Sequence, residues 1–148
     1  MRPHPFFSTV EVRICDIPMR ADESLALAAL IQATMAKLYK LHSRNQGFRM
    51  YSRALIMENK WRAARYGLEG KLIDFGREQE CPAKELMLEY LDFVDDVLDE
   101  LDSRKEVEYI RTILERGNGA ERQLEVFEKT HDLKKVVEYM VAETQAGL

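Results

Sequence analysis

Between residues 9 and 16 the chain alternates. Val10, Val12 and Ile14 are apolar and β-branched, and Glu11, Arg13 and Cys15 separate them. A period of two predicts a β-strand, placed at 8–16, with one apolar face and an acid and a base on the other. Those two charges suit either a solvated edge or a binding face. A single strand cannot satisfy its own backbone N–H and C=O groups, so it must join a sheet. The rest of the chain offers it little, because almost everything after residue 22 repeats with helical spacing.

Residues 1–7, with Pro3 and Pro5, read as an extended lead-in. A first helix is predicted over 22–42 with Asp22 as its N-cap. From Leu25 to Ala36 only Gln32 and Thr34 are polar, so this helix is expected to be buried between layers. A second helix, 50–66, stops at Gly67, and 71–75 reads as a short strand or a link. Pro82 fits the first position of a third helix reaching 101, whose apolar stripe is Met87, Leu91, Val94, Leu98 and Leu101. Ser103 and Glu106 have the spacing of a capping box for a fourth helix to 116, closed by Gly117-Asn118-Gly119. Helices over 120–129 and 133–144, the latter capped by Asp132, complete the pattern. The expected fold is mainly α: a bundle of about six helices with one N-terminal strand, a single domain over 1–148 that is helical across 22–148.

With 148 residues, 46% of them apolar, the chain is long enough to bury a core of its own. Its net charge of −4 conceals an asymmetry: residues 1–77 hold 13 Lys/Arg and 7 Asp/Glu, and residues 78–148 hold 9 and 19. The basic half suits a small anionic ligand, and the acidic half would repel a nucleic-acid backbone. Cys15 and Cys81 form no CxxC pair, and His4, His42 and His131 make no zinc pattern. With no signal-like start, this cysteine usage points to a reducing cytoplasm. No apolar run is long enough to span a membrane.

The densest chemistry lies in Glu58-Asn59-Lys60-Trp61-Arg62-Ala63-Ala64-Arg65-Tyr66-Gly67. Asn59, Arg62 and Tyr66 share one helix face, with Arg65 and Trp61 on its flanks. One reading is structural: cations complement the helix dipole and Trp61 plugs the core. The other is a polar wall whose guanidinium groups clamp phosphate or carboxylate. Asp95 and Asp96 diverge around their helix and read as a solvated face rather than a metal site. No P-loop occurs, Gly117-Asn118-Gly119 does not follow a strand, and no activated nucleophile stands out. What remains is Glu11-x-Arg13 facing an Asn- and Arg-rich helix end. Glu is a hard oxygen ligand suited to Mg²⁺ and Arg grips carboxylate or phosphate, parts that fit ATP-dependent activation of a carboxylate.

These residues also carry a resemblance. The run from Arg2 to Leu30, with Arg-Pro-His-Pro, Thr-Val-Glu-Val-Arg-Ile-Cys-Asp-Ile-Pro and Leu-Ala-Leu-Ala-Ala-Leu, resembles the C-terminal part of the bacterial carboxylate-amine ligases, the type 2 glutamate–cysteine ligase family. So does Glu-Asn-Lys-Trp-Arg-Ala-Ala-Arg-Tyr-Gly-Leu-Glu-Gly-Lys-Leu-Ile-Asp at 58–74, and the likeness extends through Glu106-Val-Glu-Tyr-Ile-Arg to the last helix. The resemblance implies a glutamine-synthetase-like catalytic fold and amide formation through an acyl phosphate made from ATP and a carboxylic acid. Under it Glu11 would be a metal ligand for Mg²⁺. Arg13 would hold the substrate carboxylate or acyl phosphate as a catalytic residue. Asn59, Arg62 and Arg65 would line the substrate and ATP cleft. It further implies a larger N-terminal catalytic portion or partner subunit, without which this chain is expected to be inactive. The alternative is a non-catalytic helical assembly module, a homo-oligomer formed through the edge of the strand.

Overall fold

Helix α1 (Ala21–Ser43) buries Ala26, Ala29, Leu30 and Ala33, a stripe at i, i+3, i+4 and i+7. Because three of these four side chains are single methyls, two helices can lie close against it. They are α3 (Ala83–Leu98), which contributes Leu91, Val94, Val97 and Leu98, and α4 (Arg104–Arg116), which contributes Val107, Ile110 and Leu114. These three helices enclose the core of the computed structural model, which describes residues 2–47 and 49–146. Met1, where the expected lead-in starts, and the last two residues of the expected domain lie outside the described residues.

The architecture is mainly α, as the helical periodicity predicts, with two small antiparallel hairpins. The predicted buried first helix is buried on one side only: Leu25 and Tyr39 face outward, since no other layer covers them. The strand predicted over 8–16 contracts to two residues, β2 (Val10–Glu11), paired with β1 (Arg2–Pro3). The lead-in folds back to serve as the partner, His4 N donating to Thr9 O, and among the described residues the ladder ends at Glu11. Val10 and Ile14 are therefore exposed.

The possible strand near 71–75 is real. β3 (Lys71–Asp74) pairs with β4 (Gln79–Pro82), a partner the periodicity did not reveal because Gln79-Glu80-Cys81-Pro82 lacks a continuous apolar face. Asp74 Oδ1 accepts from Gly76 N and Arg77 N and closes the turn. Helix α2 (Arg53–Tyr66) lies against β3 and buries none of its own residues. Trp61 is 54% exposed and is not a core plug. Helices α5 (Gly119–Thr130) and α6 (Leu133–Ala146) pack against each other.

Several caps differ from expectation. Helix α1 begins at Ala21 after Arg20, so Asp22 lies inside the first turn, where its carboxylate accepts from Arg20 Nη2 at 3.0 Å. Pro82 precedes α3 rather than opening it. Ser103 makes no side-chain cap: Asp102 at φ +50° turns the chain sharply, Ser103 has φ −123° and ψ 10°, and its buried hydroxyl has no partner among the described residues. The capping box forms one helix later, where Asn118 Oδ1 accepts from Glu121 N at 3.0 Å and Glu121 Oε2 from Asn118 N at 2.9 Å. Asp132 does cap α6, its Oδ1 accepting from Lys134 N at 2.8 Å.

One surface link between α1 and α3 gives a pH prediction. Lys37 Nζ and Lys40 Nζ stand 2.6 and 3.0 Å from the Asp96 carboxylate and pull its pKa down to about 2. A depressed carboxylate contributes stability above its unfolded pKa, and that contribution fades as pH falls from about 4 towards 2. The pair is half exposed, so Asp96→Asn is expected to cost no more than about 1 kcal/mol at pH 7. Urea denaturation at pH 7 and pH 2 checks this: the difference between variant and parent should shrink to a small remainder at the lower pH.

Candidate functional site

Along α2 and its C-cap, Lys60, Ala63, Ala64 and Gly67 recur at i, i+3, i+4 and i+7, a stripe of small residues headed by a cation. The stripe forms one wall of a cavity of about 660 Å³. Ile14, Cys15 and Asp16, just beyond β2, form a second wall, and Asn118, Ala120, Glu121 and Leu124 at the start of α5 form the third. Gly67 makes the junction possible. Its φ of +56° ends α2, and an added Cβ would come within 2.9 Å of both the Asn118 and Glu121 side chains.

The charges on these walls differ in how far they are already used. Glu121 is committed: one oxygen accepts from Asn118 N at 2.9 Å and the other from Leu68 N at 3.1 Å. Among the described residues, Asp16 accepts only from the neighbouring Ile17 N, at 2.7 Å. Among the described residues, neither Lys60 nor Arg65 stands within 4.0 Å of a carboxylate oxygen, and Arg65 lies over the Tyr66 ring, 5.6 Å from its centroid. Two uncommitted cations at the edge of a largely apolar cavity can receive an anionic group on a less polar body.

Arg65 is the one residue of the sequence-derived set that lines this cavity. Asn59 is occupied elsewhere: Nδ2 donates to Ile73 O at 2.9 Å and Oδ1 accepts from Ile73 N at 2.7 Å, so its amide serves β3 as a substitute strand. Arg62 donates to Glu58 at 2.8 Å and to Glu80 at 2.6 Å, and the hydrogen bonds to these two carboxylates raise its pKa. Both residues fasten α2 to the β3–β4 hairpin and so set the direction in which Lys60 and Arg65 face. Helical spacing grouped Asn59 with Arg62 but could not show that the hairpin would occupy them.

Glu11 and Arg13 lie on the N-terminal hairpin and are not part of the cavity lining. Glu11 Oε2 accepts from Arg2 Nε at 2.6 Å and Oε1 from Arg13 Nε at 2.5 Å. These bonds, Arg2 first, hold the Glu11 carboxyl below the usual carboxylate range. A divalent cation such as Mg²⁺ needs several oxygen ligands in one place. Here the single carboxylate has each oxygen bound to a guanidinium, and among the described residues no group of three or more His, Cys, Asp or Glu could hold a metal ion. The donors of this chain do not fit a metal centre by themselves.

Pattern reading also passed over a buried charge network. Arg122, 6% exposed on α5, donates through Nη2 to Glu23 of α1 and through Nη1 to Glu143 of α6 at 3.2 Å. Arg20 adds a bond to Ala146 O at 3.3 Å. Periodicity assigns charged residues to solvated faces, so only their convergence in three dimensions reveals the network.

Comparison with known proteins then decides the lineage. A sequence model of glutamate-cysteine ligase family 2 matches residues 1–139. The chain belongs to glutamate-cysteine ligase family 2. Among relatives carrying the provisional name glutamate–cysteine ligase 2, the protein from Solibacter usitatus is 64% identical over all 148 residues, which cover 38% of its length. That from Herpetosiphon aurantiacus is 56% identical over 147 residues, 99% of this chain and 38% of the relative, and that from Roseiflexus sp. is 56% identical over 148 residues. The chain thus spans roughly two fifths of the length of these family members, which agrees with the reading of it as part of a larger ligase fold. No described helix is long and apolar enough to cross a membrane.

Proposed function

We propose that this chain is the C-terminal portion of an ATP-dependent carboxylate–amine ligase of the glutamate–cysteine type, which supplies cationic groups to the anionic substrates. The cavity between α2, the Ile14–Asp16 stretch and α5 supports the reading most directly, because among the described residues Lys60 and Arg65 have no carboxylate partner there and the relatives carry a ligase name. In such a reaction a carboxylate takes the γ-phosphoryl group of ATP and an amine displaces phosphate from the acyl phosphate. Negative charge must be gathered and held in place, and preorganised guanidinium and ammonium groups do this at little reorganisation cost. Arg65 and Lys60 would draw in phosphate or carboxylate, Asn59 and Arg62 would keep α2 fixed on the hairpin, and Arg13 would serve a second anionic group. The Mg²⁺ that the resemblance implies would need ligands from the rest of the family fold.

The purified chain is expected to form no amide product from glutamate, cysteine and ATP, yet to gain a few degrees in melting temperature with Mg²⁺-ATP in excess. Arg65→Ala should abolish that gain. Sustained turnover by the chain alone would refute its incompleteness, and an ATP response unaffected by Arg65→Ala would remove the cavity from the proposal.

A second reading is favoured by one observation: Leu55, Ile56, Met57 and Trp61 of α2 are all exposed. Such a surface suits a helical assembly module that forms a homo-oligomer and does no chemistry. Under that reading the sedimentation coefficient rises with protein concentration and ATP has no effect on the melting temperature.

A further inference from the structure

A capping box asks little of its acidic residue. One side-chain oxygen accepts from the backbone N–H of the N-cap residue, and glutamine serves the purpose as well as glutamate. At the start of α5 the carboxylate does more. Glu121 Oε2 takes the Asn118 N–H at 2.9 Å, and Oε1 accepts from Leu68 N at 3.1 Å, across 53 residues of chain. Two glycines leave room for it. Gly67 and Gly117 have φ of +56° and +85°, and a Cβ on either would come within 2.9 Å of a Glu121 oxygen, Oε1 from Gly67 and Oε2 from Gly117. The carboxylate is thus seated between the end of α2 and the start of α5, two of the three walls of the cavity. We propose that Glu121 is a positioning residue for that cavity: it latches the turn after α2 to α5 and so sets where Lys60 and Arg65 meet an anionic ligand.

This role rests on the anion-binding cavity proposed above. Helix α2 buries no residue of its own, so apolar packing does little to fix its C-terminal end. Asn59 and Arg62 tie it to the β3–β4 hairpin and leave α5 untouched. Among the described residues, the bond from Leu68 N to Glu121 is the one hydrogen bond between residues 53–70 and α5. Without it the end of α2 can move away from α5, and only a fraction of molecules hold both cations in place. The apparent affinity falls by that fraction. The charge of Glu121 acts in the opposite direction, because a carboxylate on the wall repels an anion. Its presence there is explained by the two N–H groups it joins.

The test follows Mg²⁺-ATP binding to the full chain by amide chemical shifts, with hydrogen exchange at the Leu68 amide alongside. Glu121→Gln keeps one acceptor oxygen, enough for the capping box, and lacks the second. The Leu68 amide should therefore lose protection, and Mg²⁺-ATP should bind about ten-fold more weakly; Glu121→Ala should lose at least as much. Simple electrostatics predicts the reverse, tighter binding once the negative charge is gone. Combined with Arg65→Ala, the loss should be clearly less than the product of the two, since the latch acts through that side chain. Val107→Ala, which weakens the core between α1, α3 and α4, separates positioning from stability: the chain stays folded during the titration and its affinity should match the parent's. Equal or tighter binding in Glu121→Gln, a Leu68 amide as protected as in the parent, or an equal loss in Val107→Ala would each overturn the latch and leave the cavity as an anion site. A parent chain that binds no Mg²⁺-ATP, or binds it with an affinity that Arg65→Ala leaves unchanged, would overturn both.

Discussion

Arg122→Met should lower the unfolding free energy by about 3–5 kcal/mol, because it leaves Glu23 as an unpaired charge in the protein interior. The Glu23 side chain is 7% exposed and receives Arg122 Nη2, while Arg122 Nη1 and Nε reach Glu143 and the Asn118 carbonyl. One guanidinium thus joins the start of α1, the first turn of α5 and the last turns of α6. Removing it takes away all of these bonds while the carboxylate stays dehydrated. A loss of that size corresponds to a fall of about 10 °C in melting temperature for a chain of this length. Calorimetry measures the fall, and hydrogen exchange should show the amides of α5 and α6 losing protection before those of α3 and α4. The double change Glu23→Leu with Arg122→Met should recover most of the loss, since a well-packed apolar pair can replace a buried ion pair at little cost. Equal stability of single and double variants would mean that the network does not hold the C-terminal helices.

Leu98→Ala is expected to cost about 2–5 kcal/mol by a different route. Leu98 is 1% exposed, at the end of α3 in the core shared with α1 and α4, and the alanines of that core have no side chain long enough to fill the space. The cost combines lost transfer free energy with the cavity left behind. The effect should be global, because α1, α3 and α4 share this core. Helix α2 buries no residue and is fastened by Asn59 and Arg62 instead, so the Ile73 amide should keep its protection relative to its neighbours in the variant. Urea denaturation gives the first quantity and native-state hydrogen exchange the second. A drop below about 1 kcal/mol would mean that the core can collapse around the gap.

The two effects differ in how readily the sequence foretold them. Leu98 stood in an apolar stripe with Leu91 and Val94, and a helical period leaves little choice about where such a stripe faces. Arg122 stood among Glu121, Gln123 and Glu125 with nothing to distinguish it. The candidate site divides in the same way. Arg65 was legible as a cation near the end of an amphipathic helix, and it lines the cavity. Asn59 and Arg62 shared its motif yet are taken up by β3 and β4. Lys60 stood in the same motif but was not singled out, because its place depends on Ala63, Ala64 and Gly67 leaving room beside it.

Local physics explains what the sequence by itself determined: a mainly helical chain, the core stripe of α3 and the breaks at Gly67 and Gly117, each specified by residues within a few turns of one another. Tertiary structure alone decided which charges were satisfied. Ser103 lost its cap to a sharp turn, Asn118 gained one against Gly67, Glu11 was shared between arginines nine residues before it and two after it, and Arg122 was buried by helices more than twenty residues away. Hydrophobic burial follows periodicity and can be read along the chain. The pairing of a charge depends on which distant groups arrive beside it, and that is settled only when the elements pack.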